Sequence, residues 1–355
     1  MSTRPSRQPG HTENGLTIST MTRAKWLLIG GETLLGKEIR ELVEERKLPV
    51  DLMLASAGPQ ERVLTESEGE LAVIPPLDDV SVEDAPVLIL AGAAETHAEA
   101  RRLAQAAQER PALVDATGAL EELPEARVCA PVLQRMPAGG AEFIHVPAHP
   151  VAVALARLMA AFEKPRVVAR AVVTVFEPAS ERGRAGLNEL HQQTINLFSF
   201  QPLPKEIFDA QVAFNLLPRY GEDATLELAA VERRIQNHLV SLLGPRGLTL
   251  PSLRLIHAPV FHSYTLNVWL EFNDLPTPEE VARALAAAGF EVRESDVEPG
   301  SNSGSAGQSG MTASDLTRDR NHAHAFWLWL AFDNLRARAD NVLLTAALLS
   351  REVRK

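Results

Sequence analysis

A glycine-containing turn stands where the first predicted strand ends and a helix begins. Gly30 and Gly31 end the apolar segment, Thr33 follows, and Gly36 lies in the first turn of the helix. Amide groups at a helix N-terminus bind phosphate, so this turn is a candidate site for NADP or NAD. Thr33 stands at the middle glycine position of the dinucleotide pattern, where a side chain obstructs the pyrophosphate. The alternative is a strand-to-helix turn that binds nothing, and the sequence leaves both interpretations open.

The end of the second predicted strand would normally distinguish the two nicotinamide cofactors. An acidic residue there binds the ribose of NAD, and a basic residue accommodates the 2′-phosphate of NADP. Here the sequence is Ala55-Ser56-Ala57-Gly58, which has neither. The choice between NADP and NAD therefore has no visible determinant. The residues that follow Gly36 also depart from the Walker A pattern, which excludes an ATP-binding P-loop.

Histidines and a single cysteine are the other candidates for chemistry. His322 and His324 share a face if the chain there is extended, and further histidines stand at positions 145, 149, 257 and 262. They are not joined by ligands at the short spacing that is typical of zinc sites, so the sequence predicts no metal. Cys129 lies in an apolar, strand-like segment, and we predict a buried thiol there rather than a nucleophile.

Length and charge limit the classes of function. The chain has 355 residues, with 35 basic and 46 acidic side chains and a formal net charge of -11. This balance disfavours nucleic acid and anionic membrane surfaces, whose binding depends on Lys and Arg. No apolar segment is long enough to span a membrane, and residues 1–22, interpreted as a disordered tail, lack the apolar core of a signal peptide. With one cysteine, the composition indicates a cytoplasmic protein without a nucleic-acid or membrane partner.

Short buried strands alternate with helices in the N-terminal part of the sequence. Apolar segments at 25–31, 50–55, 87–91 and 112–116 are typical of strands, and amphipathic or alanine-rich helices lie between them. Such alternation predicts a parallel sheet that is covered by helices. The fold class is therefore α/β, with a doubly wound, nucleotide-binding type of domain over residues 23–147.

The pattern changes after residue 147. A helix is predicted from Pro150 to about residue 162, and longer strands follow at 167–176, 253–261, 266–272 and 326–332. Apolar and polar residues alternate in 266–272, which indicates a sheet with two different faces. We predict an α+β domain with a mixed sheet over residues 148–332, and a flexible surface loop, rich in glycine and serine, at 298–312. Residues 333–355 are expected to form a helix that returns to the N-terminal domain.

The order of these segments resembles that of the aspartate-semialdehyde dehydrogenase family. Besides the glycine turn and Pro147, the matching segments are residues 54–56, 113–118, 213–218, 258–261 and 333–336. The resemblance extends from about residue 25 to the C-terminus. It implies a Rossmann-like NADP-binding domain, and a C-terminal domain that supplies catalysis through a cysteine thioester and forms a dimer through its mixed sheet.

Two positions that carry catalysis in this family hold other residues here. Aligned on Pro147, the nucleophilic cysteine is replaced by His149, whose acyl adduct would hydrolyse readily. The histidine that acts as base is replaced by Tyr264, which with a pKa of about 10 is a poor base at neutral pH. His149 also precedes Pro150, and the role that we favour for it is to cap the following helix.

Other positions that bind substrate and cofactor in the family are also changed. A phosphate-binding arginine is replaced by Glu121, which repels an anion, and a second arginine, which holds a carboxylate, is replaced by His257. Glu177 replaces a glutamine, Arg234 keeps the charge of a lysine, and Asn334 matches a segment near the nicotinamide. The resemblance is therefore to the degenerate Usg-like branch of the family, which lacks the catalytic cysteine.

Two functions remain open at this point. The first is a catalytically impaired family member that acts through dimerisation or protein association, as a homodimer or as a heterodimer with a catalytic relative. The second is an NAD(P)-dependent oxidoreductase that acts on an aldehyde or oxo group without a thioester, with Tyr264 or His262 donating a proton. Cofactor binding separates the two, because only the second requires it.

Overall fold

The computed structural model describes residues 23–58, 62–67, 70–135, 141–163 and 167–352. In its N-terminal part, short apolar strands alternate with helices, because continuous apolar segments can be buried on both faces of a sheet. The elements are β1 (Ala24–Ile29), α1 (Leu34–Glu45), β2 (Val50–Ala55), β3 (Val63–Ser67), β4 (Glu70–Ile74), β5 (Val87–Leu90), α2 (Ala94–Ala106), β6 (Ala112–Asp115), β7 (Ala126–Cys129) and β8 (Ile144–Pro147).

Six of these strands form a parallel sheet in the order β2-β1-β5-β6-β8-β7. The strand order reverses between β1 and β5, which pair directly with each other. Doubly wound sheets bind their ligands at such a reversal, outside the carboxyl ends of the strands. The glycine turn follows β1 directly and therefore lies at this crevice. β3 and β4 form a separate antiparallel hairpin, which the sequence pattern did not predict.

The C-terminal part is built on a second, mixed sheet. Its strands are arranged in the order β10-β9-β11-β14-β13-β12, with β10 parallel to β9 and with β11 antiparallel to both β9 and β14. The α/β class, with one parallel and one mixed sheet, is therefore confirmed. The elements are α3 (Pro150–Ala160), β9 (Val168–Glu177), α4 (Gly183–Ser199), α5 (Leu228–Leu243), β10 (Ser252–His257), β11 (Tyr264–Phe272), α6 (Pro278–Ala287), β12 (Glu291–Val292), α7 (Asn302–Ser305), β13 (Thr312–Arg318), β14 (Ala325–Phe332) and α8 (Asn334–Glu352).

The two faces of the mixed sheet differ in burial, as the alternation along β11 predicted. Leu266, Val268 and Leu270 are fully buried in the apolar core that also contains α3 and α5. The opposite face is open. Trp269 of β11 is paired with Val172 of β9 on one side and with Trp327 of β14 on the other. Val172 is 51% exposed and Trp327 is 40% exposed. The sheet therefore presents a partly exposed face with aromatic and aliphatic side chains.

The last helix, α8, packs into the core of the parallel sheet. Val342, Leu343 and Leu349 are buried with Trp26 of β1 and Ile39 of α1. The indole Nε1 of Trp26 donates a hydrogen bond of 2.6 Å to Ser350 Oγ near the end of the helix. α8 begins directly after β14 and thus joins the two sheets through one continuous segment.

The segment 298–312, which composition predicts to be a flexible surface loop, contains a short helix. Asn302–Ser305 forms a short helix, and Gly300 and Ser305 are buried. Asn302 Nδ2 donates to the carbonyl oxygen of Ser263 at 2.6 Å, and Gly307 N donates to Asp333 Oδ2 at 2.7 Å. These two hydrogen bonds connect the segment to Ser263 and Asp333. Small side chains allow the backbone to approach closely here, which composition alone does not reveal.

Some elements were not predicted from the sequence, and some predictions fall on residues that the structure does not describe. α4 and β13 form without having been predicted. The proposed tail, residues 1–22, and the last part of the chain, residues 353–355, lie outside the described residues. Among the helices that the structure describes, none is long and apolar enough to cross a membrane.

Candidate functional site

A cluster of buried polar side chains lies at one end of the mixed sheet, near the end of β9 and the start of β11. β9 ends at this place, β11, α3 and α8 begin there, and the adjoining segments add further polar groups. Burial of so many polar groups requires that each finds a partner. The residues are Glu121, His149, Glu177, Glu181, Arg182, Arg234, His238, His257, Tyr264, Asn334 and Arg338.

His149, at the expected nucleophile position, caps α3. Its Nδ1 accepts a hydrogen bond from Val151 N at 3.3 Å, and its own backbone N–H donates to His238 Nδ1 at 2.9 Å. Burial, with positively charged arginines and His238 around it, holds the pKa of His149 well below its usual value, so the ring is neutral. Since Nδ1 accepts, the proton is assigned to Nε2. The single lone pair of the neutral ring is therefore directed at the helix N-terminus.

Tyr264, at the expected base position, lies beside His149. Its hydroxyl is 3.4 Å from His149 Nε2, and its side chain is fully buried. Burial, together with the charges of Glu181 and Glu177, raises the pKa of Tyr264 well above its usual value. The phenol remains protonated, and it cannot accept a proton as a base at neutral pH.

Glu121 and Arg234, both at expected substrate positions, form an ion pair. Arg234 Nε is 2.7 Å from Glu121 Oε2, and His238 Nε2 approaches the same oxygen at 3.2 Å. Burial would raise the pKa of Glu121, but the hydrogen bond from His238 and the charge of Arg234 together hold it below its usual value. Gly118, with φ of +80°, makes room for the guanidinium, which a Cβ at that position would overlap.

Glu177 and His257, the other two substrate positions, are also occupied by contacts within the chain. Arg182 Nη2 is 2.8 Å from Glu177 Oε1, and burial raises the pKa of this carboxyl group to about 7 in spite of the arginine. The hydroxyl of Tyr220 lies 3.0 Å from His257 Nδ1. Burial, and then the charge of Arg182, lower the pKa of His257 to about 3, so this ring carries no charge for a substrate.

Asn334, expected near a nicotinamide, is fully buried and bonds to its neighbours. Its Oδ1 accepts from Ser263 N at 3.0 Å, and its Nδ2 donates to Glu181 Oε1 at 2.8 Å. The other carboxylate oxygen of Glu181 pairs with Arg338 at 2.7 Å. Burial alone would raise the pKa of Glu181, but Arg338 and the bond from Asn334 hold it below its usual value.

Sequence reasoning missed four members of this cluster, Glu181, Arg182, His238 and Arg338. None belongs to a motif. Arg182 pairs with Glu177, five residues away, but the other three have partners distant in the sequence. Glu181 and Arg338 are 157 residues apart, and His238 and Glu121 are 117 residues apart. One local signal is the spacing of Asn334 and Arg338, four residues apart, which places both side chains on one face of α8. Arg234 and His238 have the same spacing on α5.

The predicted glycine turn has the strand-turn-helix geometry of a phosphate site, with one difference. Gly30 has a φ of +91°, and a Cβ on Gly36 would overlap the carbonyl oxygen of Gly30. Both glycines are thus required by the backbone. Thr33 is the N-cap of α1, and its Oγ1 accepts from Gly36 N at 2.9 Å. The hydroxyl therefore occupies an amide that would otherwise face a phosphate.

Cys129 is a buried thiol, as predicted. Its side chain is fully buried in β7, and its Sγ lies 3.6 Å from Thr345 Oγ1. Burial raises the pKa of the thiol to about 12, so a thiolate does not form at neutral pH. Within the described ranges of the chain, no three His, Cys, Asp or Glu side chains are grouped to hold a metal ion.

Comparisons with known proteins show similarity in both sequence and fold. Residues 155–337 match the dimerisation domain of semialdehyde dehydrogenases. A USG-1 protein homolog of Azotobacter vinelandii is 32% identical over 92% of this chain and 98% of its own length. The structure of a probable aspartate-semialdehyde dehydrogenase from Pseudomonas aeruginosa is 26% identical and has a TM-score of 0.78, over 92% of this chain and 98% of that chain. An aspartate semialdehyde dehydrogenase with NADP from Candida albicans, 14% identical, shares the fold with a TM-score of 0.62, over 93% of this chain and 99% of that chain.

Proposed function

This chain belongs to the aspartate-semialdehyde dehydrogenase family, and we propose that it is a catalytically impaired member that acts by self-association. One observation carries the proposal most directly. The lone pair of His149 Nδ1, which stands where the family places its nucleophilic sulfur, accepts the hydrogen bond from Val151 N. A lone pair that caps a helix is not free to attack an acyl phosphate or an aldehyde.

The charges around His149 support the same conclusion. Each arginine in the cluster already has a glutamate partner: Arg234 with Glu121, Arg182 with Glu177, and Arg338 with Glu181. A substrate with a carboxylate and a phosphate needs cations that are not already neutralised. Binding it here would displace a carboxylate from its partner and leave that carboxylate buried without a counter-charge.

The open face of the mixed sheet supports the role in association. The match to a dimerisation domain covers β9, β10, β11 and β14, which contribute this face. Trp327 and Val172 are exposed there. Exposed apolar side chains that lie together on one face are typical of a protein interface. We therefore place a homodimer contact on this face. A heterodimer with a catalytic relative would use the same surface.

The catalytic part of the proposal is tested by incubating the full chain with aspartate semialdehyde, NADP and inorganic phosphate. Absorbance of NADPH follows the reaction. We expect no turnover above the rate without protein, because neither His149 nor Tyr264 can perform the required step. Turnover that disappears in a folded His149→Ala variant would show that the histidine is a working nucleophile, contrary to the proposal.

The association part is tested by sedimentation of the protein with Val172→Glu. Val172 is 51% exposed, so the change leaves the core of the protomer intact, but it places a charge in the centre of the proposed interface. We expect the wild-type protein to sediment as a dimer and the variant as a monomer at micromolar concentration. Val240→Glu is the matched control, because Val240 is 52% exposed but lies on α5 and away from the sheet face. Equal dimerisation of both variants would mean that the interface lies elsewhere.

A further inference from the structure

We infer that the crevice between β1 and β5 is closed by side chains of this chain and takes no nicotinamide dinucleotide. The family implies NADP at this place, where the strand order reverses. The residues present do not fit that cofactor. This inference concerns the N-terminal domain and is independent of whether the mixed sheet forms a dimer.

Thr33 closes the phosphate side of the crevice. Its hydroxyl accepts from Gly36 N at 2.9 Å, and it lies 2.8 Å from the carbonyl oxygen of Gly30 and 3.1 Å from that of Ala91. It thus joins the turn after β1 to the segment after β5. A bound pyrophosphate would need the Gly36 N–H group and the space that the Thr33 side chain fills. The middle position of the dinucleotide pattern is normally glycine for this reason. Here the Thr33 hydroxyl accepts the hydrogen bond from Gly36 N that a phosphate oxygen would otherwise accept.

Glu32 closes the ribose side. Its Oε1 accepts from Ala57 N at 2.6 Å, and so joins the turn after β1 to the segment after β2. Its Oε2 is buried and has no hydrogen-bond partner among the described residues. The carboxylate therefore adds a negative charge close to the amides that would face the two phosphates, and repels them. An acid that recognises ribose stands at the end of the second strand instead, not in the glycine turn.

A third side chain completes the closure. Thr96, which is fully buried near the start of α2, donates its hydroxyl to the carbonyl oxygen of Ala57. Gly92 packs directly on Ala57, since a Cβ on this glycine would lie 3.0 Å from the Ala57 Cα. The segments that follow β1, β2 and β5 are thus hydrogen-bonded to one another at the carboxyl edge of the sheet.

Among the described residues, none provides the crevice with a cation placed for the 2′-phosphate of NADP. Arg62, the basic residue nearest in sequence to the end of β2, is exposed and pairs with Asp79 at 2.8 Å. Arg40 is buried, and its guanidinium donates to Gly31 O and to Thr65 Oγ1 at 3.3 and 3.0 Å. Both arginines are thus engaged within the domain, and NADP has no advantage over NAD here.

Isothermal calorimetry with NADP and with NAD tests the inference on the full-length protein. The wild type is compared with a double variant, Glu32→Ala with Thr33→Gly, which removes both closing side chains. Glu32→Gln alone is a second variant that keeps an acceptor for Ala57 N but removes the charge. Thr33→Ser is the matched control, since serine keeps the capping hydroxyl. Circular dichroism and gel filtration establish that each variant is folded.

We expect no saturable heat from the wild type or from Thr33→Ser at millimolar cofactor. We expect the folded double variant to bind at least about tenfold more tightly than the wild type, and Glu32→Gln to show a smaller gain. Saturable binding of either cofactor to the wild type in the micromolar range would overturn the inference. It would also be overturned if neither the folded double variant nor Glu32→Gln bound better than the wild type, because the closure would then not be due to these side chains.

Discussion

At the scale of single residues, the polar cluster is a set of groups that satisfy one another. His149, Tyr264 and His257 are the residues that we predicted from sequence at the nucleophile, base and substrate-cation positions of the family. Each is neutral and hydrogen-bonded inside the chain. Burial favours the neutral form of an ionisable group and costs free energy wherever that group is charged in the unfolded chain. The stability of the protein should therefore respond to pH through these residues.

His257 gives the clearest pH dependence. Burial lowers its pKa from an ordinary value of 6.5 to about 3 in the folded protein, so between these values the unfolded chain binds a proton that the folded chain does not. The free energy of unfolding should therefore fall as pH decreases through this range, by up to about 1.4 kcal/mol per pH unit from this one group. Glutamine at position 257 removes the titration. Chemical denaturation at several pH values should show the stability of the wild type relative to His257→Gln decreasing below pH 6.5.

The replacement of an exposed histidine serves as a reference for this experiment. His191→Gln changes a solvent-exposed side chain of α4, so it corrects for any effect of removing a histidine that is unrelated to burial. If the stability difference between the wild type and His257→Gln did not change with pH, His257 would titrate alike in the folded and the unfolded chain. That result would contradict a buried neutral ring at this position.

At the scale of elements, the N-termini of two helices, α1 and α3, are capped by side chains of this chain. α1 is capped by Thr33, and α3 is capped by His149, with Pro150 at its first position. In both cases the cap occupies an N–H group that a bound anion or reaction intermediate could have contacted. Capping thus stabilises each helix, and we propose that it also removes a binding function.

The cap on α3 can be measured directly. We expect His149→Ala to lower the free energy of unfolding by about 1–2 kcal/mol more than His149→Asn, because asparagine keeps an acceptor for Val151 N and alanine does not. Urea denaturation of the two variants at the same pH gives this difference. Equal stabilities of the alanine and asparagine variants would mean that the ring nitrogen contributes nothing as a cap.

At the scale of the whole molecule, α8 connects the two sheets. Its N-terminal residues Asn334 and Arg338 belong to the polar cluster, and its later residues lie in the apolar core around β1 and α1. Arg336 adds ion pairs to Glu38 and Glu45 of α1, at 2.8 and 2.7 Å. A change in the packing of α8 should therefore affect the stability of the parallel-sheet domain.

Two adjacent leucines of α8 provide a matched pair for this prediction. Leu343 is 3% exposed within the core, whereas Leu344 is 46% exposed. We expect Leu343→Ala to lower the free energy of unfolding by roughly 2–5 kcal/mol through the lost contacts and the cavity, and Leu344→Ala to have a much smaller effect. Tryptophan fluorescence reports the unfolding, and Trp26 of β1, which bonds to Ser350 of α8, contributes to it. Similar losses for both variants would contradict the packing described for α8.

By itself, the sequence determined the class of fold and predicted the positions at which this chain departs from the catalytic residues of the family. Both are local properties, because the period of apolar residues specifies strands and helices, and a replaced side chain can be recognised without its neighbours. The tertiary structure decided what the replacements do. That Glu121 pairs with Arg234, that His149 lies beside Tyr264, and that Asn302 bonds to Ser263 all depend on contacts between segments far apart in the chain. Such contacts follow from how the two sheets pack, and no spacing within a single segment specifies them.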